Sequence, residues 1–238
     1  FTPGPKGVED RTYDEEMKTI FADFQSRGVN EFVLDLRYNG GGYEHSANML
    51  AGLLIPEESK DNVFGIFSNN KGKVTHTRYF NTETKGTAGY LKLNSNRIYI
   101  LTSENTASSS ELVISSLEPF MNIVLIGQLT EGKNVGMQEY SDDKYEWAYW
   151  PITTRVTNAI NSDYSAGFTP DYDWNEFNLS QNPEDTLLPL GDSNEFMLNK
   201  AITLITGTHR KTRNMTILSQ TILRGQPVYQ SIDRHTTG

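Results

Sequence analysis

The chain has 238 residues, 36% of them apolar and 11% aromatic, which suffices for one sizeable domain with its own core. Its 21 basic against 30 acidic side chains give a net charge of −9. That argues against nucleic acid or an anionic membrane surface as the main partner, because phosphate binding needs a basic footprint. No run approaches roughly 18 continuous apolar residues, so no segment reads as a bilayer span. The absence of cysteine removes disulfides, thiolate nucleophiles and Cys-ligated metals together.

In chain order, Asp14 to Arg27 predicts a helix. Met17, Ile20, Phe21 and Phe24 recur at helical spacing, and Gly28 stands where a helix stop belongs. Residues 31–37 read as a strand, followed by Asn39-Gly40-Gly41-Gly42 and a helix over 46–54. Two further strands, 64–67 and 73–79, are joined by a turn at 69–72. A strand at 97–102, a helix at 107–120 and a short buried strand at 122–126 come next. Residues 140–178 are aromatic and polar and read as strands with ordered loops. A helix at 195–206 closes the pattern, and the polar tail beyond it holds one strand-like piece at 215–218. The domain is expected to occupy residues 1–206, with 207–238 as its C-terminal extension. There is no internal repeat. The chain starts at Phe1 with no leader pattern and is read as a fragment or mature form.

Strands alternating with helices imply parallel βαβ units with right-handed crossovers. The chain leaves strand 97–102 at its C-terminal edge and returns to the same edge at the end of strand 122–126. The segments just past each strand are therefore expected to be neighbours. They are Thr106-Ala-Ser108-Ser109-Ser110-Glu111, Thr130-Glu-Gly-Lys133 and, past strand 31–37, the glycine turn 39–42. In open α/β sheets this edge is where ligands bind.

These three loops suit acyl transfer. A serine at a helix N-terminus lies near backbone N–H groups and the positive end of the dipole. A neutral lysine amine can take its proton, and glycines let backbone N–H groups approach a developing oxyanion. Taken singly, each piece has a plainer reading. A Ser triplet before an apolar helix is an N-cap, a Gly-rich segment after a strand is a tight turn, and a lysine in a polar loop is a solvated lysine. Glu111 reads as a first-turn helix acid rather than a catalytic group. The four histidines, His45, His76, His209 and His235, show no metal spacing. The chemistry requires neither metal nor cofactor, and Gly-Lys followed by Asn134 lacks the Ser/Thr of a phosphate-binding loop.

In combination the residues resemble a known family. Asp35-Leu-Arg-Tyr-Asn-Gly-Gly-Gly42 resembles the "DLRxNxGG" signature of the carboxy-terminal processing, or tail-specific, serine peptidases of family S41. Thr106 to Glu111 is similar to that family's "TASASE" nucleophile segment, and Gly127 to Lys133 to its "GExTxGK" lysine segment. Gly167-Phe-Thr-Pro-Asp171 is similar to its "GIxPD". The signatures occur in family order, with 25 residues from serine to lysine.

The resemblance implies a crotonase/ClpP-like α/β core of ββα units, with parallel strands and covering helices. It implies Ser108 as nucleophile and Lys133 as general base, with oxyanion donors at the Ser109 amide and at Gly41 or Gly42. The substrate is then a polypeptide bound in extended form and cut near its C-terminus, in the periplasm or cell envelope of a bacterium. Two departures stand out. The family's Gln four residues after the lysine is Met137 here, with Gln138 one later, so Gln138 enters as third member out of register. The PDZ domain that usually precedes this core has no counterpart in these residues. His45, just past the glycines, is the rival base of a Ser–His arrangement. A second reading is a non-catalytic peptide- or lipophile-binding protein on the same fold. The sequons at Asn178 and Asn214 are short enough to occur by chance.

Overall fold

The computed structural model describes residues 10–84, 90–142, 144, 147–178, 180–182 and 187–207. The strand-like piece at 215–218, the sequon at Asn214 and nearly all of the C-terminal extension lie outside them.

The first layer is a parallel sheet. Its strands β1 (Val33–Asp35), β4 (Arg97–Thr102), β5 (Asn122–Gly127) and β10 (Tyr172–Asp173) pair in the order β1-β4-β5-β10. Strands β4 and β5 run in register from Arg97 opposite Asn122 to Thr102 opposite Gly127. Both are short continuous apolar runs, as expected of strands covered on both faces. Helix α5 (Phe196–Thr206) covers one face, where Met197 and Ala201 are buried with Tyr99, Leu101 and Ile126. The other face carries the main core, built around α2 (Glu44–Leu54) and α4 (Ser109–Leu117). Every residue of α4 is buried, as is every residue of α2 from Ser46 onward.

The second layer is an antiparallel sheet in the order β3-β2-β9-β6, made of β2 (Val63–Ser68), β3 (Val74–Tyr79), β6 (Val135–Met137) and β9 (Ile152–Thr157). Asn69 closes the β2–β3 turn, its side chain accepting the Lys71 and Lys73 amides. A separate two-stranded hairpin, β7 (Tyr140–Asp142) with β8 (Trp147–Tyr149), projects between β6 and β9. The short helix α3 (Asn81–Thr84) follows β3.

The expected α/β class and the parallel sheet with covering helices are what the structure has. Three details differ for physical reasons. Helix α1 (Thr12–Ser26) packs Met17, Phe21 and Phe24 inward, with the Phe21, Phe24 and Phe32 rings in mutual contact. Ile20, expected on that stripe, is 51% exposed because it sits one residue off its centre. Strand β1 stops at Asp35 instead of Arg37, because the Leu36 and Arg37 carbonyls accept the hydroxyls of Thr106 and Ser103 rather than ladder amides. Helix α4 starts at Ser109 rather than Ala107, because Ser108 has φ 56° and ψ −118°, outside the helical region.

Candidate active site

The three loops do meet. A cleft of about 710 Å³ opens over the C-terminal edge of the parallel sheet, and Gly40 to Gly42, Ser108, Ser109 and Lys133 all line it. Apolar groups from both layers, Phe67, Leu112, Val156 and Tyr164, form its walls. Met137, Gln138 and Trp150 line it from the side of the antiparallel sheet.

The glycine segment is held against the 106–111 segment by the hydroxyls of that segment. Ser109 Oγ donates to the Gly42 carbonyl at 2.6 Å, and Ser110 Oγ donates to the Asn39 carbonyl at 2.8 Å. Thr106 Oγ1 donates to the Leu36 carbonyl at 2.8 Å. The approach is close enough to require glycine. A Cβ on Gly41, at φ +100°, would stand 2.7 Å from Ser108 Cβ and 2.8 Å from the Ser109 nitrogen. The Gly41 N–H donates to Asn39 Oδ1 at 3.1 Å, so this amide serves its own turn.

Ser108 itself is half-buried and holds a positive φ that a serine rarely adopts. Such backbone costs on the order of 1–3 kcal/mol and persists only where the surroundings enforce it. They do. The Ser108 amide donates to Glu111 Oε2 at 3.0 Å, and the following helix is packed on all sides.

Glu111 is the residue that sequence reasoning undervalued. It is 0% exposed, and its carboxyl group accepts four hydrogen bonds. Oε2 takes the Ser108 amide and the Lys133 amide, the latter at 2.8 Å. Oε1 takes the Gly132 amide and the Thr130 hydroxyl, each at 2.6 Å. One oxygen therefore bridges the backbone of the serine segment to that of the lysine segment. The available signal was the Ser108-x-x-Glu111 spacing of a capping box, in which the acid turns back to the N-cap amide. The three further donors come from 19, 21 and 22 residues away and leave no local trace.

Lys133 is half-buried. Its loop is seated on the 165–168 segment, where the Phe168 amide donates to Thr130 Oγ1 at 2.8 Å. A Cβ on Gly132 would meet the Ser165 carbonyl oxygen at 2.5 Å, so this seat also requires glycine. Tyr164 is 4% exposed, and burial, reinforced by Glu111, pushes its hydroxyl above the usual tyrosine range. Gln138 and Met137 both line the cleft and both are exposed. Gln138 Oε1 faces the Tyr140 hydroxyl at 3.5 Å, the outer limit of a hydrogen bond.

His45 is not among the cleft residues. It stacks on Tyr43, and its Nε2 lies 3.7 Å from the Asp14 carboxylate of α1. Burial, together with Arg11, holds its pKa below the ordinary value despite Asp14. Among the described residues, the histidine that does line the cleft is His76, stacked on Phe67 with ring centroids 4.3 Å apart.

Beneath the glycine segment lies a second cluster that the sequence left unread. Arg37 is 2% exposed and meets Asp35 at 2.7 Å, Glu176 at 2.6 Å and Glu195 at 3.0 Å. Burial alone would weaken the guanidinium charge, but the hydrogen bond and charge of Asp35, with Glu176 and Glu195, raise its pKa above the ordinary value. Burial also raises Glu176, against the Tyr38 hydroxyl bond and Arg37, which favour its charged form. Glu195 caps α5 through the Met197 and Leu198 amides, so the cluster ties that helix to the root of the glycine loop.

The model of peptidase family S41 matches residues 7–174, well over half of the chain. The chain belongs to peptidase family S41. A protein of Bacteroides fragilis NCTC 9343 described as an S41 protease superposes with TM-score 0.77 at 32% identity, over 88% of this chain and 53% of that one. The carboxy-terminal processing protease CtpA of Bacillus subtilis (strain 168) is 26% identical over 133 residues, which cover 55% of this chain and 26% of CtpA. The photosystem II D1 C-terminal processing protease shares the fold, with TM-score 0.55 at 18% identity over 70% of this chain and 40% of that one. This S41 chain thus spans about half the length of its B. fragilis relative, and its alignment about a quarter of CtpA. The ClpP-like α/β core expected of the family is the core it has.

Proposed function

We propose that this chain is the catalytic core of a serine peptidase in which Ser108 is the nucleophile and Lys133 the general base. The observation that carries the reading is the shared carboxylate: Glu111 Oε2 accepts the amides of both residues, which fixes the two loops against each other.

The neutral amine of Lys133 takes the proton of Ser108 Oγ as that oxygen attacks the scissile carbonyl carbon. The resulting oxyanion is received by backbone amides, for which Gly42 and Ser109 are the candidates, since the Gly41 amide is engaged by Asn39. The lysine ammonium then delivers its proton to the leaving nitrogen as the C–N bond breaks, which leaves an acyl-serine. Water attacks the ester with Lys133 again accepting a proton, and the collapse of the second intermediate returns that proton to Ser108 Oγ. Gln138 is the candidate to orient the lysine. The substrate is a polypeptide in extended form cut near its C-terminus, the activity that the names of CtpA and the D1 protease state for those proteins. The site of action is the periplasm or envelope of a bacterium.

A serine-reactive phosphonylating probe tests this. We expect one adduct, located on Ser108 by peptide mass spectrometry and absent from Ser108→Ala. A correctly folded chain that takes up no probe, yet binds peptides or lipophiles, is instead a binding protein on the same fold.

A further inference from the structure

The hairpin β7–β8 is sided. Tyr140 pairs opposite Tyr149 and Asp142 opposite Trp147, so Tyr140, Trp147 and Tyr149 share one face, while Ser141 and Ala148 point to the other. The three aromatic side chains form a continuous row. Tyr140 and Tyr149 stack with centroids 5.5 Å apart, and Trp147 and Tyr149 lie 5.3 Å apart. Yet the row is not a core, for these residues are 43%, 47% and 49% exposed. A two-stranded hairpin alone is marginally stable in water, and contiguous exposed apolar surface marks an interaction site.

The hairpin is also an outgrowth of the cleft. Its root is closed by the Gln138 amide on the Pro151 carbonyl at 3.3 Å. Residues on both sides of that root, Met137, Gln138 and Trp150, line the cleft with Ser108 and Lys133. The aromatic row therefore starts where the cleft ends. At about 3.3 Å per residue, the stretch from Gln138 to Asp142 reaches roughly 10–15 Å, the length of three to five extended substrate residues.

We propose that the aromatic face of β7–β8 is a capture surface for the substrate chain, binding apolar and aromatic side chains a few residues beyond the scissile bond. This rests on the peptidase reading and adds a preference to it. Rigid aromatic side chains suit the task, since they offer large contact area with little rotamer freedom to lose. An extended, unfolded polypeptide can present alternate side chains to such a row, whereas a folded protein hides them.

The test uses two fluorogenic peptides with the same scissile sequence. One carries Phe and Leu at alternate positions starting about four residues away, in separate versions on each side, and the other carries Gly and Ser there. The chain is expected to cleave one apolar-flanked version roughly tenfold or more better, through KM rather than kcat. Tyr140→Ser/Trp147→Ser/Tyr149→Ser should bring that ratio close to one, Tyr140→Phe/Tyr149→Phe should keep it, and Ser141→Lys on the opposite face should leave it intact. Equal cleavage of all versions by the unaltered chain, or an unchanged ratio in the folded triple serine variant, overturns the proposal. Binding of the same peptides to Ser108→Ala, read from the fluorescence anisotropy of a dye attached to the peptide, separates the two ideas. Apolar-flank binding that the triple variant loses supports the surface even if no peptide is turned over, and turnover without that difference refutes only the surface. Binding of soluble glycans instead of peptides also overturns it.

Discussion

The two walls of the cleft are built differently. On the parallel-sheet side, the glycine segment, the serine segment and the lysine loop are joined by buried and part-buried hydrogen bonds, and Glu111 and Arg37 are almost wholly sealed from water. On the antiparallel side, β6 is three residues long, ends at the exposed Met137 and leads through the exposed Gln138 into the open hairpin. Reacting atoms must be held within fractions of an ångström, whereas a polypeptide substrate needs a surface that tolerates varied side chains. Under the proposed mechanism, the difference teaches that rigidity is concentrated where bonds would change and relaxed where the substrate chain would be held.

Changes to the sealed side should therefore cost stability and activity together. Arg37→Ala leaves Asp35, Glu176 and Glu195 facing one another without their cation. Losing one partner of a buried ion pair typically costs about 3–5 kcal/mol, so a large fall in melting temperature is expected. A variant that melts like the parent would remove the cluster from the list of structural supports. Glu111→Ala strands three amides and a hydroxyl; with about 1–3 kcal/mol for each buried unsatisfied group, destabilisation of at least ~3 kcal/mol is expected. Because two loops lose their common anchor, kcat/KM should drop ~100-fold or more even where the variant is folded. Full activity in a folded Glu111→Ala would show that the bridge positions nothing.

Smaller changes sharpen the contrast. Ser108→Gly removes the proposed nucleophile and also the strain of a positive φ, so chemical denaturation should find it more stable than Ser108→Ala by about 1 kcal/mol. Equal stability of the two would mean that the serine backbone is not strained. Ser110→Ala removes a single staple to Asn39 and should cost about 1 kcal/mol, with a correspondingly modest loss of turnover. The weakest effect concerns pH. His45 has its folded pKa lowered, so the unfolded chain binds its proton more readily. The stability it contributes is present above about 6.5 and is lost as pH falls through the lower folded value. His45→Gln should narrow the gap between melting temperatures at pH 7.5 and 5.5, and an unchanged gap would contradict that assignment.

Much of this was legible in the sequence where information is local. Strand β4 falls on residues 97–102 as expected, because Arg-Ile-Tyr-Ile-Leu-Thr is one apolar run between turn residues. The meeting of the Ser108, Lys133 and glycine loops follows from handedness alone. What escaped is non-local. The Glu176 and Glu195 partners of Arg37 lie 139 and 158 residues away, and nothing near Arg37 announces them. Glu111 looked ordinary because an acid in the first turn of a helix is ordinary; its burial and three of its four donors exist only once β5 and the lysine loop are in place.

The most direct measurement is kcat/KM on one peptide for Ser108→Ala, Lys133→Ala, Lys133→Arg and His45→Ala, each checked for folding. The Ser–Lys mechanism predicts no turnover from Ser108→Ala and a loss of about 10²–10⁴ in Lys133→Ala. Lys133→Arg should be equally impaired because a guanidinium does not give up its proton in this range, and His45→Ala should keep most of its activity. A crippled His45→Ala beside a nearly intact Lys133→Ala would contradict the mechanism and put a Ser–His pair in its place.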